Sequence, residues 1–242
     1  MTARRAVLPG LLCAVVALVG IAPVAPATAA PAAPPGYRVV ATETLGAGVE
    51  HQTLRRDEPA QEVHVARLAP GTAGRLLPVL GHNTLAGSPA ALEPTSAMCA
   101  RVRCLAAVNG DFFDGDGRPV GAMVSAGELL TTPGIEHILL RVDAQGWATL
   151  RPGITWRVGL TTADGQALPV QAVNRPPVGE GITLYSRRWG PATPADPSAT
   201  AVSVQLPPGA AASLPTGTSP VRVSPAPGGG SVPIPAGQVV LA

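Results

Sequence analysis

Residues 104–130, CLAAVNGDFFDGDGRPVGAMVSAGELL, carry the strongest signals for fold and function in this chain of 242 residues. Within them an apolar run, Leu105–Val108, ends abruptly at Asn109, Gly110 and Asp111, and both phenylalanines of the chain follow. A short, uniformly apolar run is typical of a strand that is buried on both faces. We therefore predict a central buried strand over Leu105–Val108, with polar side chains at its end.

The DGDG sequence at residues 114–117 has two interpretations. Calcium loops contain D-x-D-G, but they need further oxygen ligands and a later bidentate Glu, which the following RPVGAM does not supply. Asp and Gly also provide the positive-φ positions of a turn between two strands. We predict an exposed hairpin turn here, and no metal site.

The remaining sequence is typical of a β-rich domain with many turns. The chain has 28 Gly and 28 Pro residues, and residues 137–150 and 153–170 each place a D-x-x-G or D-G turn between apolar stretches. Pro94 followed by Thr95 or Ser96 predicts a capped helix of about two turns. Further strands are predicted within residues 37–45, 61–70, 74–83, 181–190, 203–207, 220–225 and 237–242. The predicted fold class is α+β, predominantly β, with a mixed or antiparallel sheet, hairpins and one short early helix.

The amino terminus has the pattern of a secretory signal peptide. Arg4 and Arg5 precede an apolar run at residues 6–22, and residues 27–29 (ATA) offer an A-x-A cleavage site. We expect residues 1–29 to be removed and the protein to be secreted, with no membrane contact after cleavage.

Signal removal is expected to leave a formally neutral chain, because residues 1–29 contain two of the 17 basic residues and none of the 15 acidic ones. Nucleic-acid binding requires a basic face that displaces counterions from phosphates, so no nucleic-acid partner is expected. Residues 30–36 form a Pro/Ala linker, and residues 37–242 are long enough for one domain with its own core.

Cys99 and Cys104 are the two cysteines that remain after signal removal. In an oxidising compartment they predict a disulfide that closes a very short loop. Two thiolates without a nearby His or CxxC partner make a poor metal site. The bond would join the predicted helix to the segment that follows it.

Residues 106–130 resemble the hallmark of the phosphodiester glycosidase family, the domain of the lysosomal enzyme that removes N-acetylglucosamine from a phosphodiester. In that family a strand ends in Asn-Gly-Gly/Asp-Phe/Tyr-Phe, then a turn follows, and later glycines match Gly121 and Gly127. Residues 173–193, VNRPPVGEGITLYSRRWGPAT, are similar to the N-R…LYT…WG segment of bacterial members. Residues 229–242 are similar to the segment that precedes the second half of the family's domain.

The resemblance covers most of residues 40–242. Members of the family continue through an Arg-Thr-Ala/Ser-x-Gly segment, a D-G-R/Q strand and an Asn-Leu-Asp-Gly-Gly-Gly-Ser motif, and this sequence contains no such series after the matched residues. The resemblance therefore implies that residues 37–242 correspond to the amino-terminal part of the domain, and that part of the active site lies outside them.

The resemblance implies hydrolysis of the bond between an anomeric carbon and a phosphodiester oxygen, with a glycan or sugar phosphodiester as substrate and no cofactor. Glycoside hydrolysis uses a carboxylate to activate water or to stabilise an oxocarbenium-like cation. Asp111 is the candidate for that role and Asn109 for bonding sugar hydroxyls, while Gly110 permits close approach and Phe113 forms a pocket wall. Asp111 has the alternative role of capping a turn.

Asn174 is a further candidate for contact with the substrate. The candidates for contact with the substrate's phosphate are its neighbour Arg175 and the pair Arg187 and Arg188, because guanidinium groups match phosphate oxygens. Two other classes stay open: a secreted, non-catalytic carbohydrate or cell-wall binding domain, and a truncated, inactive gene product. A serine hydrolase is disfavoured because no G-x-S-x-G motif occurs.

Overall fold

The computed structural model describes residues 32–46, 48–69, 71–85, 92–125, 127–135, 138–143, 147–161, 164–176, 181–207, 222–226 and 230–242. The expected signal peptide lies outside these residues, as do the first two residues of the expected linker.

Short strands dominate the described residues, and one α-helix, α1 (Thr95–Val102), precedes most of them. The strands are β1 Arg38–Gly46, β2 Val49–Arg56, β3 Gln61–Leu68, β4 Met123–Ser125, β5 Glu128–Thr131, β6 Ile138–Val142, β7 Ala148–Pro152, β8 Gly159–Thr161, β9 Ala167–Pro169, β10 Ala172–Val173, β11 Thr183–Tyr185, β12 Val202–Gln205, β13 Arg222–Pro225 and β14 Gln238–Leu241. This composition confirms the predicted α+β, predominantly β class. Within the described ranges, no helix has the length and apolar character that a membrane crossing requires.

The core surrounds a five-stranded sheet in the order β10-β11-β14-β12-β13. Its pairs are antiparallel except β10–β11, which is parallel, so the sheet is mixed as predicted. Successive residues of a strand face opposite sides, and both sides are covered here: Leu184 and Leu241 join one buried cluster, while Tyr185 and Val240 join the other. Burial of each large apolar side chain stabilises the fold by about 1.5–3 kcal/mol.

The other strands form smaller units. β1, β2 and β3 make an antiparallel sheet in which Leu54 is the buried side chain, and β4–β5, β6–β7 and β8–β9 are hairpins. The β6–β7 and β8–β9 hairpins agree with the turn signals in the sequence. β2 was missed, because its apolar residues do not alternate cleanly with polar ones. The strand predicted within residues 74–83 is wrong: that segment is irregular and ends in a 3₁₀ turn, Gly81–Asn83.

The predicted helix is confirmed as α1, although its start differs in detail. Pro94 occupies the N-cap position and no side chain caps the first turn. The Thr95 hydroxyl instead donates to Oδ1 of Asn109 at 2.7 Å. The predicted disulfide between Cys99 and Cys104 is also present, with Cα atoms 4.9 Å apart, and it joins α1 to the segment that follows.

The prediction of a buried strand over Leu105–Val108 is wrong. These residues form no strand, and the Val108 side chain is 78% exposed. An apolar run indicates a preference for burial but does not provide a neighbouring strand for its N–H and C=O groups. The central position belongs to β14, whose residues Val239, Val240 and Leu241 are buried between strands on both sides.

Replacing Val108 by Asp should therefore change the free energy of unfolding by no more than about 0.5 kcal/mol, because the side chain already lies in water. The matched change, Val240→Asp, places a charge at a fully buried position and should cost several kcal/mol or prevent folding. Urea unfolding followed by circular dichroism measures both. A loss above about 2 kcal/mol for Val108→Asp would show that the run is packed in solution.

Candidate functional site

The loop Asn109–Phe113 lies on the surface, with residues Phe112 80% and Phe113 56% exposed. The Asp111 carboxylate organises it: Oδ1 accepts the N–H of Phe112 at 2.8 Å, and Oδ2 accepts the N–H of Gly121 at 2.7 Å. A Cβ at position 121 would lie 2.8 Å from Oδ2, so the glycine permits this approach. Asp111 thus caps the loop, and each of its oxygens keeps a lone pair for another partner.

The DGDG segment forms the predicted turn. The N–H of Gly117, at φ 86°, donates to the carbonyl of Asp114 at 2.8 Å. Arg118 follows the turn, donates from Nε to Oδ2 of Asp116 at 2.5 Å, and places its guanidinium 5.7 Å from the centre of the Trp189 ring. Sequence reasoning missed Arg118, because its contact with Trp189 depends on a residue far along the chain.

Arg175 is half-buried, and its side chain contacts the residues that follow this turn. Its Nε donates to the carbonyl of Thr132 at 2.9 Å, and its Nη2 donates to the carbonyls of Pro119 at 2.7 Å and Val120 at 3.2 Å. Burial lowers the pKa of the Arg175 guanidinium, and the charge of Arg118 lowers it further.

No salt bridge between described residues includes Arg175. Its charge is therefore stabilised by carbonyl dipoles and by the more distant carboxylates of Asp114, Asp111 and Asp116. A Cβ at position 134 would lie 2.5 Å from Nη1 of Arg175, so Gly134 is needed for the guanidinium to fit.

Asn174 is buried rather than placed for direct contact with a substrate. It is 1% exposed and has φ 49°, a left-handed conformation that Asn tolerates better than most residues. Nδ2 donates to the carbonyl of Leu130 and to Oγ of Ser186, both at 2.8 Å, and Oδ1 accepts the N–H of Ser186 at 2.7 Å. The amide joins β5 to the segment after β11 and so positions the neighbouring Arg175.

The side chains of Arg187 and Arg188 contact different parts of the structure. Arg187 is exposed and donates to the carbonyl of Ile234 at 3.2 Å. Arg188 pairs with Glu128 at 2.9 Å and lines a cavity of about 250 Å³. Asn109, Asp111 and Arg175 do not line that cavity. The other lining residues are Leu77, Pro78, Val79, Leu80, Asn83, Val102, Ser125, Glu128 and Leu130.

A second ion pair, between Arg101 and Glu93, contacts two of the residues that line the cavity. Nη2 of Arg101 lies 2.7 Å from Oε2 of Glu93, and Arg101 also donates to the carbonyl of Leu80 and to Oδ1 of Asn83. Hydrogen bonds from Arg101 and from the backbone N–H of His82 lower the pKa of Glu93 to about 2. These contacts tie α1 to the 3₁₀ turn.

Across the described part of the chain, no group of three or more His, Cys, Asp or Glu side chains could hold a metal ion.

The structure therefore divides the predicted residues into two groups. Asp111 and Arg175 converge on residues 119–121, with Asn109 in the adjoining loop. Arg188 belongs to the cavity instead. Sequence reasoning also missed Glu128, Thr132 and Gly134, since no local motif marks a residue whose partner lies in another hairpin.

The low pKa of Glu93 predicts a specific dependence of stability on pH. The folded pKa of about 2 lies below the ordinary value of 4.5. The carboxylate therefore contributes stability above about pH 4.5 and loses that contribution as the pH falls toward 2. Glu93→Gln should lower stability at pH 7, and the difference from wild type should shrink steadily below pH 4.5.

Urea unfolding at pH 7, 4.5 and 3 measures this difference. Glu50→Gln, in a side chain 44% exposed and 4.0 Å from Arg67, is the matched control and should differ little from wild type. A constant gap between Glu93→Gln and wild type at all three pH values would contradict the role given to Glu93.

No known protein family and no curated protein matches this chain. Among solved structures, it is similar to the crystal structure of a hypothetical protein from Synechocystis, with a TM-score of 0.56 and 21% sequence identity. The similarity covers 86% of this chain and 42% of that one, so the chain spans less than half the length of that relative. At this identity the likeness concerns the fold alone.

Proposed function

We propose that the protein is a secreted hydrolase of sugar-1-phosphodiesters, such as an N-acetylglucosamine phosphodiester. The observation that carries the proposal is the convergence of the Asp111 carboxylate and the Arg175 guanidinium on residues 119–121. A carboxylate for the sugar and a cation for the phosphate are the two groups that this reaction needs. The resemblance of residues 106–130 to the phosphodiester glycosidase family supports the same reaction.

Each group has a separate role in the proposed reaction. The bond between the anomeric carbon and the phosphodiester oxygen breaks, and the phosphate monoester leaves with the electron pair. Arg175 stabilises the charge that develops on the phosphate, so that a strong general acid is not required. Asp111 removes a proton from the water that attacks the anomeric carbon, and Asn109 bonds a sugar hydroxyl.

The geometry explains why Arg175 suits an anionic ligand. Its charge has no adjacent carboxylate among the described residues, whereas Arg118 is paired with Asp116 and Arg188 with Glu128. A paired guanidinium has less charge to offer a phosphate. Arg175 is also held rigidly by three carbonyls, so it loses little freedom when a ligand binds.

A second candidate function is non-catalytic binding of carbohydrate, and the exposed rings of Phe112 and Phe113 favour it. Large exposed aromatic rings stack on apolar faces of ligands, and Asn109 lies close enough in sequence to bond hydroxyl groups at the same surface. This candidate requires no role for Arg175, which separates it from the first.

The test combines binding and turnover on a synthetic methyl N-acetylglucosamine-1-phosphate diester. Arg175→Lys keeps the charge but loses the planar fork, and should weaken binding of the diester at least tenfold. Asp111→Asn should reduce release of free sugar by about 10²–10⁴-fold with little change in binding. Arg151→Lys, the same change at an exposed arginine of β7, is the matched control and should leave both unchanged.

Melting temperatures of all variants show whether the fold is kept. Binding is the sharper test of Arg175, because its proposed contact is with the phosphate of the bound diester. Tight binding of methyl N-acetylglucosaminide, without phosphate and insensitive to Arg175→Lys, would favour the carbohydrate-binding candidate. Absence of binding to both ligands would contradict the two proposals together.

A further inference from the structure

Two histidines face each other on the amino-terminal sheet, far in sequence from the site described above. In the antiparallel pairing of β2 with β3, His51 lies opposite Ala66 and Thr53 lies opposite His64. The two histidines therefore occupy diagonal positions on one face of the sheet, where long side chains meet. Both rings are accessible to solvent, with side chains 32% and 60% exposed.

The facing ring nitrogens have the spacing of two ligands on one metal ion. Nε2 of His51 lies 3.0 Å from Nδ1 of His64, and the rings are 15° from parallel. Two imidazole nitrogens about 2.0–2.1 Å from a shared ion, at angles between square and tetrahedral, are separated by roughly 2.9–3.4 Å. The observed distance falls within that interval.

The outer ring nitrogens each face a carboxylate. Nδ1 of His51 lies 3.9 Å from Oε2 of Glu43, and Nε2 of His64 lies 3.4 Å from Oε1 of Glu62. Glu62 uses its other oxygen for Arg55, at 2.6 Å. Histidines that bind metals commonly donate their second N–H to a carboxylate, which orients the ring and fixes its tautomer.

The same spacing fits a hydrogen bond in which one inner nitrogen donates to the other, and Oγ1 of Thr53 lies 3.5 Å from Nδ1 of His64. A metal ion that binds both inner nitrogens would replace the proton between them, because each nitrogen then offers a lone pair to the ion.

We propose that His51 and His64 bind one divalent transition-metal ion of the class that prefers imidazole, represented by Zn²⁺. The site has two protein ligands, fewer than the groups of three excluded above, and water completes the coordination. The ion would join β2 to β3 in a sheet where Leu54 is the buried side chain. Binding would therefore stabilise this sheet, independently of the proposed function at Asp111 and Arg175.

The experiment titrates purified protein that carries no polyhistidine tag with ZnCl₂ in a calorimeter. Wild type should show one saturable site. His51→Gln and His64→Gln should each weaken Zn²⁺ binding by roughly a hundredfold or more, and Glu62→Gln by about 10–100-fold, as for other carboxylates that orient a ligand. His82→Gln removes an imidazole from outside the sheet and should leave binding unchanged.

Two further measurements complete the test. Saturating Zn²⁺ should raise the melting temperature of wild type and of His82→Gln but not of His51→Gln. In NMR spectra, the ring signals of His51 and His64 should shift with Zn²⁺ at constant pH. The proposal is overturned if Zn²⁺ does not saturate the protein, if His51→Gln binds as tightly as wild type, or if the two rings respond to pH alone.

Discussion

The buried amide of Asn174 joins segments that are distant in sequence, and the site depends on that junction. It bonds the carbonyl of Leu130 in one hairpin and both the hydroxyl and the N–H of Ser186 beyond β11. A buried polar group left without a partner costs about 1–3 kcal/mol, so the surrounding backbone must keep the geometry that satisfies it. The next residue is Arg175, whose side chain is thereby directed at the loop after the DGDG turn.

Arg175 illustrates how a half-buried charge is kept without an adjacent carboxylate. Three backbone carbonyls supply the electrostatic partners, and Gly134 leaves room for the guanidinium. Desolvation lowers its pKa, but an arginine stays protonated because its ordinary pKa is so high. The result is a fixed positive charge close to Asp111, which itself is held by the N–H of Gly121. Opposite charges are thus separated by one backbone segment rather than neutralised by direct contact.

Stability is distributed unevenly through the described residues. The five-stranded sheet is covered on both faces, whereas the amino-terminal sheet and the hairpin β6–β7 expose large apolar side chains, including Val39, Ile138 and Leu150. Isolated hairpins are marginally stable in water, and local opening is easiest where few apolar side chains are buried. Extra links, such as the Glu93–Arg101 pair and the disulfide, lie outside the main core, at α1, which has no buried residue.

The sequence by itself determined the features that depend on neighbours along the chain: the helix Thr95–Val102, the disulfide after it, the turn at residues 114–117 and the hairpins β6–β7 and β8–β9. Each follows from a short pattern of Pro, Cys, Asp and Gly. Tertiary structure alone decided that Leu105–Val108 is exposed, that β14 is central, and that Arg175 meets Asp111 across residues 119–121. The hydrophobic pattern shows which side chains favour burial. Strand pairing and buried hydrogen bonds depend instead on which distant segment of the chain packs against a given strand or polar group.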